Sequence, residues 1–228
     1  MKSSQKVLLV FIFLGVLFIV GTIFYLEILY TVSSLLLIPV LILYYRYKVQ
    51  TWFLPMVVVL MLFYIRDLLM LGDLGNYIEP IMWIFGTAIV ILYIFALTAF
   101  QRSHIHPVEI FSLVIMYGFL VFLFFTIADL VPQVVPSYKV ATYIYIFSLI
   151  LLLAITFTQY LLKSHYASLW LMLASASLLV SELSLFFRLY IISDISVNVF
   201  FPLFHVIAYY ALIEHAVHRR RSNILPGF

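Results

Sequence analysis

The chain alternates long apolar runs with short polar breaks. A helix that crosses the ~30 Å hydrocarbon core of a bilayer needs about 20 predominantly apolar residues. Runs of that size lie near 7–26, 28–45, 52–72, 77–100, 108–131, 138–162, 166–192 and 195–217. The breaks between them carry turn and polar residues: Glu27, Arg46-Tyr47-Lys48, Gly72-Asp73-Leu74-Gly75-Asn76, Gln101-Arg102-Ser103-His104, the stretch from Pro132 to Pro136, Lys163-Ser164-His165, and Ser193-Asp194. The pattern predicts an all-α, polytopic bundle of eight transmembrane spans, a single transmembrane domain over residues 1–228. The first run follows Met1-Lys2-Ser3-Ser4-Gln5-Lys6 and reaches about Leu26. That is longer than a signal-peptide core and has no convincing small-residue cleavage site, so it reads as a span.

Composition sharpens this reading. Of the 228 residues, 67% are hydrophobic and 9% charged, whereas soluble domains carry about 25% charged residues. A soluble fold of this length cannot hide so much apolar surface, whereas lipid can solvate it. The lysines and arginines then orient the chain. Lys2 and Lys6 precede the first span; Arg46 and Lys48 follow the second, Arg102 the fourth, Lys163 the sixth, and Arg219, Arg220 and Arg221 the eighth. All fall on one side of an eight-span arrangement, and the opposite loops hold only Lys139. The positive-inside rule places both termini in the cytoplasm, N-in and C-in, in the inner membrane if the source is bacterial. Trp52, Tyr77, Trp170 and Tyr190 sit at span ends, where aromatic belts form. The net charge of +3 comes from loops and tail, and no basic patch interleaved with aromatics points to a nucleic-acid partner. The absence of cysteine excludes disulfides, cysteine-ligated metals and thiol nucleophiles.

Charged side chains at membrane depth are costly and face a bundle interior or a cavity. Those within the spans are Arg66 and Asp67, Asp129, Glu182 and Arg188, together with His205. Asp67 lies 15 residues past Trp52, roughly 22 Å along its helix, and Glu182 lies 12 past Trp170, roughly 18 Å along its own. The two depths agree within a turn, so these carboxyls are expected to line one cavity, with Asp129 and Arg188 slightly further out. In such a cavity one carboxyl can hold a proton and act as an acid while the other stays ionised and activates water. The structural alternative is that both pair with Arg66 or Arg188 and fix helix packing. Arg66 and Asp67 are adjacent, so they project about 100° apart and are not expected to point straight at one target.

Ser177, Ser181, Ser184 and Arg188 form one polar stripe, and Ser175 and Glu182 share another face. Serines in membrane helices mostly serve packing and hydrogen bonding, and no Gly-x-Ser-x-Gly elbow or Ser-x-x-Lys pair is present. Asn198, His205 and Tyr209 make a third stripe. His104, His106, His165, His215 and His218 fall near the cytoplasmic edge, so a second deep histidine for haem is missing. No cofactor and no metal site is expected.

Two segments then become suggestive: Leu62-Phe63-Tyr64-Ile65-Arg66-Asp67-Leu68-Leu69-Met70, and Ala174-Ser175-Ala176-Ser177-Leu178-Leu179-Val180-Ser181-Glu182-Leu183-Ser184-Leu185. With Pro39 and Tyr209-Tyr210-Ala211-Leu212-Ile213, they resemble the YhhN family of multi-pass membrane proteins over nearly the whole chain. That family includes lysoplasmalogenases, which hydrolyse the vinyl-ether bond of lysoplasmalogen and release a fatty aldehyde. Its Gly-Asp and Ser-Asp pairs correspond to Arg66-Asp67 and Ser181-Glu182, so both acidic positions remain carboxyls. Its lysine-proline pair in the second span is absent, and Ser34-Leu35 occupies that region. The resemblance implies a lysolipid ether hydrolase using Asp67 and Glu182 as acid and base, with Arg188, His205 and Tyr209 orienting the head group of a membrane lipid or lysolipid. The alternative is a non-enzymatic small transporter, or a sensor or assembly subunit, whose carboxyls relay protons or bind a cation.

Overall fold

The structure is a computed structural model, and it describes residues 3–50, 52–72, 74–98, 107–163, 165–192 and 194–224. Among the described residues every regular element is helical. The order is α1 (Ser3–Ile23), α2 (Glu27–Val49), α3 (Leu54–Met70), α4 (Leu74–Thr98), α5 (Pro107–Ala128), the single turn α6 (Val131–Val134), a 3-10 turn (Pro136–Tyr138), α7 (Lys139–Lys163), α8 (Tyr166–Tyr190) and α9 (Ile195–Ile224). His104, His106 and Arg102 lie outside the described residues.

Helices follow from the solvent: lipid offers no partner for backbone N–H and C=O groups, and a helix satisfies them within one segment. Seven of the helices are long and apolar enough to cross a membrane. The remaining long helix, α3, has 17 residues, about 26 Å at 1.5 Å per residue. It carries Arg66 and Asp67. Polarity runs opposite to that of a soluble protein. Ile28 and Phe122 are 83% and 67% exposed, whereas Arg66 is 1% and Glu182 3% exposed. Apolar side chains face outward and charges inward, as in an integral membrane protein.

The shallow break at Glu27 is a tight helical hairpin. Tyr25 adopts a φ of 55°, and Asn198 Nδ2 donates to its hydroxyl at 2.8 Å. Gly21 lets the two helices close: a Cβ there would lie 2.7 Å from the backbone nitrogen of Tyr30. Helix α9 packs against α8, α1, α2 and α3, and α4 bridges α3 to α7. Helix α5 packs chiefly on α7 at the periphery. Of the charged residues predicted at depth, Arg66, Asp67, Glu182 and His205 come together among α3, α8 and α9, with Tyr145 of α7 completing the enclosure.

Candidate functional site

Arg66 is the hub of the site. Its Nη2 donates to Glu182 Oε2 at 2.5 Å, and its Nη1 donates to Asp67 Oδ1 at 3.1 Å. The guanidinium also lies over the Phe85 ring, 5.2 Å from its centroid. The adjacency of Arg66 and Asp67 therefore does not keep them apart. The arginine stem is long enough to curl back, so one planar fork reaches a carboxylate on its own helix and another on α8.

The two carboxyls differ in their remaining partners. Asp67 Oδ2 accepts from the Tyr209 hydroxyl at 2.6 Å and lies 3.3 Å from His205 Nε2. His205 Nδ1 lies 3.5 Å from the Ser181 hydroxyl, which donates to the Phe201 carbonyl at 3.0 Å. Glu182 Oε2 accepts from the Tyr145 hydroxyl of α7 as well as from Arg66. Its second oxygen, Oε1, is buried and has no hydrogen-bond partner, and the same holds for Arg66 Nε. An acceptor and a donor are thus left open in one desolvated place, and leaving such groups unmet is costly.

Beside them is a cavity of about 70 Å³ among α3, α4, α7 and α8. Arg66, Glu182, Tyr145 and Thr142 supply its polar wall, and residues such as Met70, Ile81 and Phe186 its apolar one. A water needs about 10–15 Å³ of such space, so the cavity admits a few waters or a small portion of a larger ligand.

Asp67, His205 and Tyr209 belong to the network but do not line this cavity, and Arg188 lies apart from both, its guanidinium 5.9 Å from the Phe201 ring centroid. Asp129 is exposed just past the end of α5. Ser175 shares a 2.6 Å hydrogen bond with Thr156, a packing contact between α7 and α8. His215 is enclosed rather than rim-exposed: its Nδ1 bonds the Ala167 carbonyl at 2.8 Å. Among the described residues no group of three or more histidine or acidic side chains is arranged to hold a metal ion.

Tyr145 is the cavity residue that the sequence reading missed. It is one of 17 tyrosines, and its motif, Tyr143-Ile144-Tyr145, has no distinguishing spacing. A second, partly buried ion pair was also not anticipated. Further along α9, Lys48 Nζ lies 2.5 Å from Glu214 Oε1, which also accepts from the Tyr44 hydroxyl at 2.9 Å. The recurrence of a tyrosine four residues before Lys48 was the available signal.

Comparison with protein-family models, curated proteins and solved structures finds no match to this chain.

Proposed function

We propose that this integral membrane protein is a YhhN-like hydrolase that cleaves the vinyl-ether bond of lysoplasmalogen or a related single-chain lipid. In this reading it crosses the membrane eight times, with α3 as the short crossing and both ends in the cytoplasm, as the distribution of lysine and arginine supports. The observation that carries the chemistry is the free Oε1 of Glu182, buried beside a cavity with Arg66 and Tyr145.

Hydrolysis of a vinyl ether needs a proton on the β-carbon, then water on the carbon that bears oxygen. The resulting hemiacetal divides into an aldehyde and an alcohol, with one water consumed. Glu182 in its protonated form gives the proton to carbon, and as the carboxylate it takes one back from the attacking water, so the residue is regenerated. Arg66 stabilises that carboxylate, and Tyr145 fixes its orientation. Asp67 faces Tyr209 and His205 and acts through Arg66 as a positioning residue.

Reconstituted protein is expected to release fatty aldehyde from lysoplasmalogen, and Glu182→Gln is expected to lower the rate at least 100-fold, the usual size of a general acid–base contribution. Undiminished release from that variant removes the mechanism. One observation favours a non-enzymatic reading: Arg66 bridges both carboxylates, as a structural fastener or a proton-relay element in a transporter or sensor subunit would require. Substrate-dependent proton uptake into proteoliposomes, abolished by Glu182→Gln and without aldehyde release, would select that reading instead.

A further inference from the structure

The cavity beside Glu182 does not stand alone. Tyr145 and Met82 also line a larger groove of about 400 Å³ between α4 and α7. That volume lies within the ~300–1,000 Å³ of small-molecule pockets, and its walls are largely apolar. Tyr145 therefore has a different environment on each side. Its hydroxyl is bonded to the catalytic-site carboxylate, and its body forms the wall of a hydrocarbon-lined slot.

The floor of the slot is Gly86, in the middle of α4. Glycine is among the poorest helix formers, so a mid-helix glycine usually serves a close packing contact. Gly15 and Gly21 do so: a Cβ would lie 2.9 Å from Val206 at the first and 2.7 Å from the Tyr30 backbone at the second. At Gly86 a Cβ would meet nothing within 4 Å. The missing side chain leaves space open rather than bringing a helix closer. Trp83 and Val90, both about half-exposed, flank it on the same helix, so the slot is accessible from the surrounding lipid.

We propose that the α4–α7 groove over Gly86 is the tail site for a single-chain amphiphile, whose polar end reaches Glu182 past Tyr145. This deepens the hydrolase reading and rests on it for the identity of the polar end. The occupant is one hydrocarbon chain because the groove is bounded by two helices and is separated by Met82 and Tyr145, which line both spaces, from a cavity that holds the hydrogen-bonding groups of Arg66 and Glu182. A diacyl lipid would have to leave its second chain outside.

Trp83 provides a direct probe, because the only other tryptophans, Trp52 and Trp170, can be replaced by phenylalanine. The Trp83-only protein, in nanodiscs of unlabelled diacyl phospholipid, is titrated with a brominated alkyl-ether lysophospholipid that lacks the vinyl double bond. Saturable quenching of Trp83 is expected, whereas a brominated diacyl phospholipid should quench only in proportion to its mole fraction. Gly86→Leu should weaken the saturable component at least tenfold, and Val90→Phe, on the exposed rim where folding is not at stake, should weaken it in the same direction. Purely linear quenching by the single-chain probe, or a saturable component unchanged in both variants, overturns the tail site. Because the probe cannot be hydrolysed, binding is read apart from turnover. Saturable binding without aldehyde release would sink the hydrolase and leave the tail site standing, whereas release indifferent to Gly86→Leu would sink the tail site alone.

Discussion

Removing the Arg66 charge tests the central network most directly. In Arg66→Met a flexible apolar side chain replaces the guanidinium, and both carboxylates lose a charged partner at once. The consequences are unequal. Asp67 keeps Tyr209 at 2.6 Å and His205 at 3.3 Å. Glu182 keeps only Tyr145, and its Oε1 already lacks a partner. Breaking a buried ion pair by removing one partner costs about 3–5 kcal/mol, because the other charge is left uncompensated. Replacing both partners by neutral groups is often nearly neutral. The single variant should therefore lose about 3–5 kcal/mol. Arg66→Met with Glu182→Gln should recover at least about 2 kcal/mol of that loss, because the stranded charge is gone. Arg66→Met with Asp67→Asn should recover less. Reversible unfolding in mixed micelles, titrated with SDS and followed by circular dichroism, measures all three. Equal rescue by the two second substitutions would refute the assignment of Glu182 as the dependent partner. A loss below about 1 kcal/mol in Arg66→Met would refute the buried network itself, since that is the worth of an exposed pair.

Two further stability predictions follow from packing and from the second ion pair. Gly21→Ala should cost about 1–3 kcal/mol in the same unfolding assay, because its Cβ would meet the Tyr30 and Leu29 backbone at 2.7–3.2 Å and the α1–α2 hairpin must open; Gly86→Ala, with nothing within 4 Å, should be neutral or slightly stabilising, and the opposite order would contradict the helix packing. Glu214→Gln should cost about 1.5–3 kcal/mol, less than Arg66→Met, because Lys48 is partly exposed and can carry its charge to the interface; a loss exceeding that of Arg66→Met would place Lys48 in a drier setting than its exposure indicates.

How much of this arrangement was legible in the chain depended on the range of the interactions involved. The helices were legible because lipid imposes one rule on every stretch of backbone, and a run of about 20 apolar residues satisfies it locally. Even the hairpin at Glu27, marked by a single charged residue, was readable on those terms. Helical rise put Asp67 and Glu182 at one depth, and Arg66 joins them there, but the cavity expected between them is lined by Glu182 without Asp67. What rise does not encode is azimuth, the direction each side chain takes around its helix. The spacing on the last span put His205 and Tyr209 on one polar stripe without naming their partner; in the structure they bond Asp67 and turn it away from the cavity, while Glu182 faces Tyr145. Depth placed Arg188 slightly further out, and its guanidinium settles near Phe201.

Arg66 shows why azimuth mattered more than depth for the chemistry. Adjacent residues on a helix diverge by about 100°, and that geometry argues against Arg66 and Asp67 serving one target. The two do diverge, Asp67 toward Tyr209 and His205 on α9 and Arg66 toward Glu182 on α8, and the long stem and forked head of the arginine let it touch Asp67 as well. Arg66 uses that length to join carboxylates on two helices, at 3.1 and 2.5 Å. The Arg66 guanidinium thus does more than occupy space. It supplies the counter-charge that lets two acidic residues be buried together, and it leaves one oxygen of Glu182 unmatched beside a cavity. The proposed hydrolysis uses that oxygen, whereas a purely structural fastener does not need it.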